Sequence, residues 1–210
     1  MTVHAETLSL EQRAVLRQLG PIAQELGFYL GGGTAIAIQL GHRQSVDLDW
    51  FTGQRIDAPI ELAKRIQDRG VALQIGAVAR GTLHGTVAGV RVSFFEFAYV
   101  MLQPLIHWPE FDCPIASLDD LAAMKLLAIS QRGSKKDFLD VYALGMHGLS
   151  LDAMLNFHRS KFAIEDVSRV TYSLCYFDDA ESERMPKMVM EVTWEQAKAA
   201  IREWVKSLAE

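Results

Sequence analysis

FYLGGGTAIAIQLGHRQSVDLDWFT, residues 28–52, is the stretch that decides the fold. It predicts a short apolar strand at 28–30, a glycine loop, a short helix at 34–40, and a second strand that carries Asp47 and Asp49. A glycine loop that opens a helix gathers backbone N–H groups and the positive end of the helix dipole at one point, which suits a phosphate. The stretch therefore predicts a phosphate-binding loop beside a strand with two acids.

The two aspartates lie on one face of the second predicted strand. Because strand side chains alternate, Asp47 and Asp49 point to the same side, about 7 Å apart at Cα, while Leu48 and Trp50 point to the other. Mg²⁺ takes one or two protein carboxylates and completes its shell with water and phosphate oxygens. We therefore predict that Asp47 and Asp49 bind magnesium, in a site for one or two ions.

Each motif alone has a common structural explanation, a tight turn for the glycines and a solvated strand face for the acids. Their combination is more specific, because the order of glycine pair, short helix and D-x-D strand resembles the signature of nucleotidyltransferases. The inner sequence GGTAIAIQLGHRQSVDLDWF resembles the pattern Gly-Gly-Thr-Ala, then His-Arg-x-Ser-x-Asp-x-Asp-x-Phe, of the AbiEii/AbiGii toxin family of nucleotidyltransferases. The matching residues are Gly32, Gly33, Thr34, Ala35, His42, Arg43, Ser45, Asp47, Asp49 and Phe51.

A second block lies on two helices predicted farther along the chain. Lys125 is the one charged residue between 121 and 129, and a lysine in an apolar run is rare unless it is paired or its amine reaches water. Asp137 stands where it would close a capping box with Ser134, and Asp140 is spaced to pair with a lysine one turn earlier. The pattern K-x6-R-x3-KD-x2-D nevertheless resembles the second block of the same family; it consists of Lys125, Arg132, Lys136, Asp137 and Asp140.

The remaining sequence predicts a mixed α+β (α/β) chain. A helix begins after Ser9 and is kinked or divided at Gly20-Pro21, and another follows at 57–69. Strands are expected at 71–78, 82–87 and 90–97, beside the D-x-D strand. The segment 101–114 is interpreted as a connector, and helices follow at about 118–132, 135–148, 150–161, 165–176 and 193–208. We predict a nucleotidyltransferase fold with a small mixed sheet flanked by helices at 1–114, and a C-terminal helical subdomain at 115–210 that completes the cleft.

Composition excludes several other classes of protein. No segment approaches the roughly 20 apolar residues that span a bilayer, and the first residues lack a signal-peptide core, which predicts a cytoplasmic protein without a membrane partner. The two cysteines, Cys113 and Cys175, lack metal-ligand spacing, so both are expected to be buried and reduced. A net charge of −5 argues against general nucleic-acid coating, so a polyanion must meet a local basic cluster.

The wider nucleotidyltransferase pattern places a third acid on a neighbouring strand, and this chain departs from it. Ser93 occupies the expected position, and Glu96 lies three residues farther on, which places it on the opposite face. We interpret Glu96 as an exposed charge at the end of a strand. The departure leaves open a member of the family that binds a nucleotide or a protein partner without turnover.

The resemblance implies a Mg²⁺-dependent transfer of a nucleotide from an NTP to an acceptor. It assigns catalysis to Asp47, Asp49 and Lys125, with Asp137 or Asp140 orienting Lys125 or the acceptor. Substrate binding falls to Gly32, Gly33, Thr34, His42, Arg43, Ser45, Arg132 and Lys136, although His42 and Arg43 also suit a helix C-terminus. Family members are toxins of toxin–antitoxin or phage-defence systems, and some extend the 3′ end of tRNA. The acceptor is left open between tRNA, another RNA, a small molecule and a protein hydroxyl, and a cognate antitoxin is an expected partner.

Lys125 distinguishes a structural from a functional explanation of the second block. If its ammonium faces phosphates, replacement by methionine removes a charge-assisted contact and weakens nucleotide binding. If it only reaches out of an apolar helix, nucleotide affinity is unchanged. In either case the sequence predicts that the stability of Lys125→Met is unchanged or higher.

Overall fold

The computed structural model describes residues 3–208. The helices are α1 (Leu10–Glu25), α2 (Gly32–Leu40), α3 (Pro59–Gln67), α4 (Leu118–Gln131), α5 (Lys135–Met146), α6 (Leu151–Phe162), α7 (Ser168–Cys175), α8 (Asp178–Glu181) and α9 (Trp194–Ser207). The strands are β1 (Tyr29–Leu30), β2 (Asp47–Thr52), β3 (Leu73–Ala79), β4 (Thr82–Val87), β5 (Val90–Glu96), β6 (Ile106–Trp108) and β7 (Cys113–Ile115). The predicted mixed α+β architecture is confirmed.

One mixed sheet of seven strands, in the order β3-β4-β5-β2-β1-β7-β6, forms the first part of the fold. β2 pairs in parallel with β5 and antiparallel with β1, which places the D-x-D strand at the centre of the sheet. Leu48 and Trp50 are completely buried on one face, as the alternation predicted, whereas Asp47 and Asp49 lie on the other face and are less buried. The central position holds the two acids on a rigid support.

The first helix is not divided at Gly20-Pro21, which corrects the prediction for this segment. α1 continues from Leu10 to Glu25 with Pro21 inside it. An interior proline costs a helix about 3 kcal/mol, so packing must offset that cost. The packing is close, since a Cβ on Gly20 would lie 2.0 Å from the carbonyl oxygen of Phe111 in the connector. Burial of Val15, Leu16 and Leu19 supplies the apolar contacts.

The connector is part of the sheet and is tied to the helical part of the chain. Its strand β7 pairs with β1, and β6 pairs with β7. The carboxylate of Asp120, at the start of α4, accepts hydrogen bonds from the backbone N–H groups of Leu102 and Gln103. It also forms an ion pair with Lys161 of α6 at 2.6 Å, and both side chains are completely buried. The division at Pro114 stays a prediction, and β7 extends across it.

Two further expectations are tested by the fold. Cys113 is buried, and burial followed by the charge of Asp112 raises the pKa of its thiol to about 12. Cys175 is exposed, so the expectation that both thiols are buried is wrong for this residue. Within residues 3–208, no helix has the length and apolar character that crossing a bilayer requires.

Gly20→Ala tests the contact between α1 and the connector. Alanine is favoured over glycine inside a helix by up to about 1 kcal/mol, but forcing an atom into a packed site costs typically about 1–3 kcal/mol. Because the obstacle is a backbone oxygen, we expect the steric cost to win and the free energy of unfolding to fall by about 1–2 kcal/mol in a urea titration. Gly53→Ala is the control, since a Cβ there meets no atom within 4 Å. A Gly20→Ala variant as stable as the parent would contradict this account.

Candidate active site

A cleft of about 910 Å³ separates the open face of the sheet from helix α4. This volume lies within the usual range of small-molecule sites. The charged side chains on its walls are six cations, Arg43, Arg91, Lys125, Arg132, Lys136 and Lys187, and three carboxylates, Asp47, Asp49 and Glu96. Cations outnumber carboxylates on these walls although the chain as a whole carries a net charge of −5, which provides a local basic cluster for an anionic ligand. Asp137 and Asp140, behind the walls, compensate part of this positive charge.

The two aspartates of β2 line the cleft, and each has a neighbour on β5. Asp47 lies beside Arg91, whose Nε is 2.6 Å from Asp47 Oδ1, and Asp49 lies beside Ser93. The N–H of Arg91 is poorly aligned with that oxygen, so the buried Oδ1 accepts no hydrogen bond from any residue in the described range 3–208. Burial, followed by the negative charge of Asp47, raises the pKa of the Asp49 carboxyl. The pair therefore carries negative charge that protein groups compensate only in part.

The glycine loop approaches these acids closely. α2 begins at Gly32, two residues before the predicted start. Gly32 has φ of +63°, and a Cβ there would lie 2.7 Å from Asp49 Oδ2. A Cβ on Gly33 would lie 2.2 Å from Arg43 Nη2. Both positions therefore need glycine, because a side chain would displace either the acid or the guanidinium.

The start of α2 is suited to a phosphate. The first turn of a helix leaves backbone N–H groups without partners inside the helix, and the helix dipole adds positive potential there. Gly31 is the N-cap and has no side chain to satisfy those groups. The loop is fixed to β2, because the Thr34 hydroxyl donates to the Asp47 carbonyl and is also hydrogen-bonded to Ser45 Oγ at 2.6 Å. The orientation of the loop is thus coupled to the strand that carries the acids.

Asp140 joins the two sequence blocks in the interior. Its carboxylate accepts two hydrogen bonds from Arg43, at 2.7 and 3.0 Å, and is 2.7 Å from His42 Nε2. The Nζ of Lys125 completes the cluster at 2.7 Å. Asp140 is completely buried, and the other three side chains are nearly so. Lys136, the predicted helical partner of Asp140, is exposed and forms no ion pair with it, so that expected pair is replaced by the internal cluster.

Asp137 forms the second half of the same cluster. It accepts hydrogen bonds from Lys125 Nζ at 2.9 Å and from Arg132 at 2.8 and 3.0 Å. Ser134 Oγ donates to it at 2.6 Å. Asp137 therefore does not close a capping box, because Ser134 makes no side-chain cap hydrogen bond to α5.

The electrostatics of the cluster hold Asp137, Asp140 and Lys125 in their charged forms. Burial alone would raise the pKa of Asp140, but Arg43 and Lys125 outweigh it and the pKa lies well below the usual range. Burial alone would likewise raise the pKa of Asp137, which Lys125 and Arg132 instead lower. The pKa of Lys125 is raised, because Asp140 and Asp137 exceed the opposing effect of burial. For His42, burial dominates and lowers the pKa.

The predicted site residues fall into two layers. Those that line the cleft are Gly32, Gly33, Arg43, Ser45, Asp47, Asp49, Lys125, Arg132 and Lys136. Those that do not line it are Thr34, His42, Asp137 and Asp140, which hold members of the first layer in place. Their roles in binding and catalysis stay predictions.

Sequence inspection missed several residues of the cleft. Arg91 and His84 come from β5 and β4, and Lys187 comes from the segment after α8, which crosses the chain beside His42 and Arg43. Only Arg91 had a signal in the sequence, since its alternation with Ser93 places it on the same strand face. His84 and Lys187 arrive through tertiary pairing.

The position expected for a third acid is occupied by a serine that contacts a histidine. Ser93 lies directly beside Asp49, as the sequence predicted, and its Oγ is 3.0 Å from His84 Nδ1. Glu96 is only partly exposed, and its Oε2 accepts a hydrogen bond from the backbone N–H of Ile56 at 3.0 Å. Glu96 is therefore held by a structural contact, rather than being the free surface charge that we expected.

Comparison with known proteins agrees with this geometry. Residues 14–205 match the family model described as "Nucleotidyl transferase AbiEii toxin, Type IV TA system". The protein aq_aa25 of Aquifex aeolicus (strain VF5) is 34% identical over 204 residues, which is 97% of this chain and 98% of that protein.

Solved structures share the fold at low sequence identity. JHP933 from Helicobacter pylori has a TM-score of 0.55 and 16% identity, over 98% of this chain and 92% of its own. MenT4, a nucleotidyltransferase toxin from Mycobacterium tuberculosis H37Rv, has a TM-score of 0.57 and 14% identity, over 94% of this chain and 82% of its own.

The fold and the family match define a nucleotidyltransferase, and thus a transferase enzyme. More particularly, the chain belongs to the AbiEii family of nucleotidyltransferase toxins of toxin–antitoxin systems. The resemblance that the two sequence blocks indicated is thereby confirmed over nearly the whole chain.

Lys125→Met should destabilise the protein, contrary to the expectation from sequence. Removing one member of a buried ion pair costs about 3–5 kcal/mol, because the remaining charge loses its partner. Arg43 and Arg132 still satisfy the two aspartates, so we expect a loss near the lower end, about 3 kcal/mol, in urea titration. Lys136→Met is the matched control, as an exposed lysine of the same cleft, and should change stability by less than about 0.5 kcal/mol. Equal stability of the two variants would refute the inferred role of the cluster.

Asp49→Asn should stabilise the protein in a pH-dependent way. The pKa of Asp49 is raised on folding, so above about pH 3.9 the unfolded chain ionises this group more readily than the folded chain. Asp49 thus lowers the free energy of unfolding at pH 7, and the asparagine variant should be more stable there. The difference should shrink as the pH falls from neutral towards about 4 and should be absent below that pH, where both states hold the proton. Chemical denaturation without divalent cations at several pH values measures this, and a gain that persists at low pH would contradict it.

Proposed function

We propose that this protein transfers a nucleotide from an NTP to an acceptor hydroxyl, with Mg²⁺ as its cofactor. The observation that carries the proposal is the position of Asp47 and Asp49 in a cleft whose other walls carry cations and the N-terminus of α2. A triphosphate needs that combination, because the cations and the helix terminus bind its negative charge while the acids hold the metal.

The reaction forms one bond and breaks one. The acceptor oxygen bonds to the α-phosphorus, the bond from that phosphorus to the oxygen bridging to the β-phosphorus breaks, and pyrophosphate leaves with both electrons of that bond. The acceptor proton passes to solvent. Catalysis then consists mainly of positioning and of stabilising the charge that develops on the leaving group.

The triphosphate would lie at the glycine loop. Backbone N–H groups of Gly32, Gly33 and Thr34 face it from the first turn of α2. Arg43 lies directly over Gly33, and Ser45 lines the same part of the cleft. His42 does not line the cleft; it would orient the Asp140 carboxylate, which in turn holds Arg43.

The two aspartates fit a magnesium site. They share one strand face, and burial followed by the charge of Asp47 raises the pKa of Asp49. Asp47 Oδ1 is 2.6 Å from Arg91 Nε but accepts no hydrogen bond from the described residues. Among residues 3–208, no group of three His, Cys, Asp or Glu side chains is arranged to hold a metal, so the remaining ligands would be water and phosphate oxygens. When bound there, as one ion or two, Mg²⁺ supplies a Lewis acid that withdraws charge from the phosphates.

The second block would neutralise the pyrophosphate. Lys125 and Arg132 line the cleft, and Lys136 adds an exposed cation nearby. Asp137 and Asp140 would be positioning residues, since they hold Lys125 at 2.9 and 2.7 Å but do not line the cleft themselves. The pairing with Lys125 favours the first of the two roles that the sequence allowed for these acids.

For the acceptor we propose RNA, with the 3′ end of tRNA as the first candidate and a small molecule or a protein hydroxyl as alternatives. The family description as a type IV toxin supports a cellular target and a cognate antitoxin that counteracts the activity. An NTP substrate and an RNA acceptor would place the reaction in the cytoplasm.

Ser93 supports one competing proposal, a catalytically degenerate protein that binds a nucleotide or a partner without transfer. Ser93 lies beside Asp49 where the wider pattern has a carboxylate, and its hydroxyl contacts His84. This proposal keeps nucleotide binding and loses turnover.

Incubation with α-labelled NTPs and total RNA tests the function. We expect Mg²⁺-dependent transfer of label to RNA, abolished by EDTA, and a loss of at least about a hundredfold in Asp47→Ala and Asp49→Ala. Both variants should fold, because neither acid lies on the buried face of β2. Asp68→Asn is the control, an exposed acid outside the cleft.

Three outcomes separate the proposals. Label in protein or in a small molecule would identify another acceptor. NTP binding without any labelled product would support the degenerate protein. Full activity in either aspartate variant would refute the assignment of the metal site.

A further inference from the structure

One end of the cleft is apolar and is not used by the proposed phosphate chemistry. On the sheet side, Phe51 of β2 and Phe95 of β5 are register partners with ring centroids 5.2 Å apart, and Phe97 lies 5.6 Å from Phe51. All three rings are only partly buried, and all three line the cleft. Partly exposed phenylalanines grouped in a cleft favour a ligand with an apolar surface.

Helix α4 supplies the opposite apolar wall. Met124, Leu127 and Ala128 line the cleft and are partly exposed, and Leu121 lies one turn earlier. The two walls meet beneath the glycine loop, because a Cβ on Gly31 would lie 2.6 Å from the Phe51 ring and 3.6 Å from Met124 Cε. We call the space between these walls the apolar slot, defined by Phe51, Phe95, Phe97, Met124, Leu127 and Ala128.

Both walls carry apolar and charged side chains. Along β2 the cleft-facing residues are Phe51, then Asp49, then Asp47. Along α4 the apolar Met124, Leu127 and Ala128 line the cleft together with Lys125 and Arg132. A ligand that fills the cleft therefore needs both an anionic part and a flat or apolar part.

We propose that the apolar slot holds the nucleobase of the donor NTP. The inference rests on the proposed function, since it takes the triphosphate to lie at Gly32, Gly33 and the cations. A nucleobase has an extended apolar ring surface, and its contact with aromatic side chains is favourable without base-specific hydrogen bonds. The six side chains that define the slot are all apolar, so recognition there depends on buried ring area.

Binding measurements that separate the base from the phosphates test this proposal. Isothermal titration calorimetry with Mg²⁺ compares each of the four NTPs with inorganic tripolyphosphate, which has the phosphates but no base. Ala128→Leu fills the slot from the α4 wall with a residue that favours helix, and Phe95→Ala removes part of the sheet wall. Ala199→Leu, at an exposed position of α9 outside the cleft, is the matched control.

We expect the NTP that the wild type binds best to bind at least about tenfold more tightly than tripolyphosphate. Ala128→Leu and Phe95→Ala should remove most of that difference and leave tripolyphosphate affinity unchanged, while Ala199→Leu changes neither. If Phe95→Ala does not fold, the difference between NTP and tripolyphosphate affinity in Ala128→Leu alone tests the proposal.

Two results would overturn the inference in distinguishable ways. Equal wild-type affinity for NTP and tripolyphosphate, or unchanged NTP affinity in Ala128→Leu, would show that the donor base lies elsewhere while the phosphate site remains. Failure of the wild type to bind either compound would refute the proposed function and this inference with it.

Discussion

The buried carboxylate of Asp140 is the contact on which the site depends. It is completely buried and is held by Arg43 and His42 from the first sequence block and by Lys125 from the second. A buried charge is tolerated only when such partners compensate it. Asp140, Arg43 and Lys125 therefore stabilise one another in their charged forms. Because Arg43 also lies over Gly33, the same cluster fixes the distance between α5 and the glycine loop.

This arrangement explains why several motif residues do not line the cleft. Thr34 ties the loop to β2, His42 and Asp140 hold Arg43, and Asp137 holds Lys125 and Arg132. Preorganised charges of this kind need no rearrangement when a phosphate binds, which is the usual source of electrostatic catalysis. The two sequence blocks thus contain both the residues that line the cleft and the residues that hold them in position.

Stability and function make opposite demands on the acids of this protein. Asp137 and Asp140 have lowered pKa values and stabilise the fold at neutral pH, because their charge is compensated. Asp49 has a raised pKa and destabilises it, because burial and Asp47 leave its charge uncompensated. Uncompensated charge in a cleft, with the perturbed pKa that it causes, is typical of functional sites.

The sequence by itself determined the elements and the two blocks. Alternation placed Asp47 and Asp49 on one face of β2, and helical periodicity located α4 to within a residue or two, since both patterns are local consequences of burial. Only the tertiary structure decided the partners of the charged side chains. A capping box for Asp137 and a helical pair for Asp140 were both reasonable locally. Asp137 instead pairs with Lys125 of the preceding helix, and Asp140 pairs with His42 and Arg43, almost one hundred positions away. Sequence periodicity indicates which face of an element is buried, but not which element packs against that face. For this reason the sequence did not predict that α1 continues through Pro21, that Glu96 accepts a hydrogen bond from Ile56, or that His84 and Lys187 line the cleft.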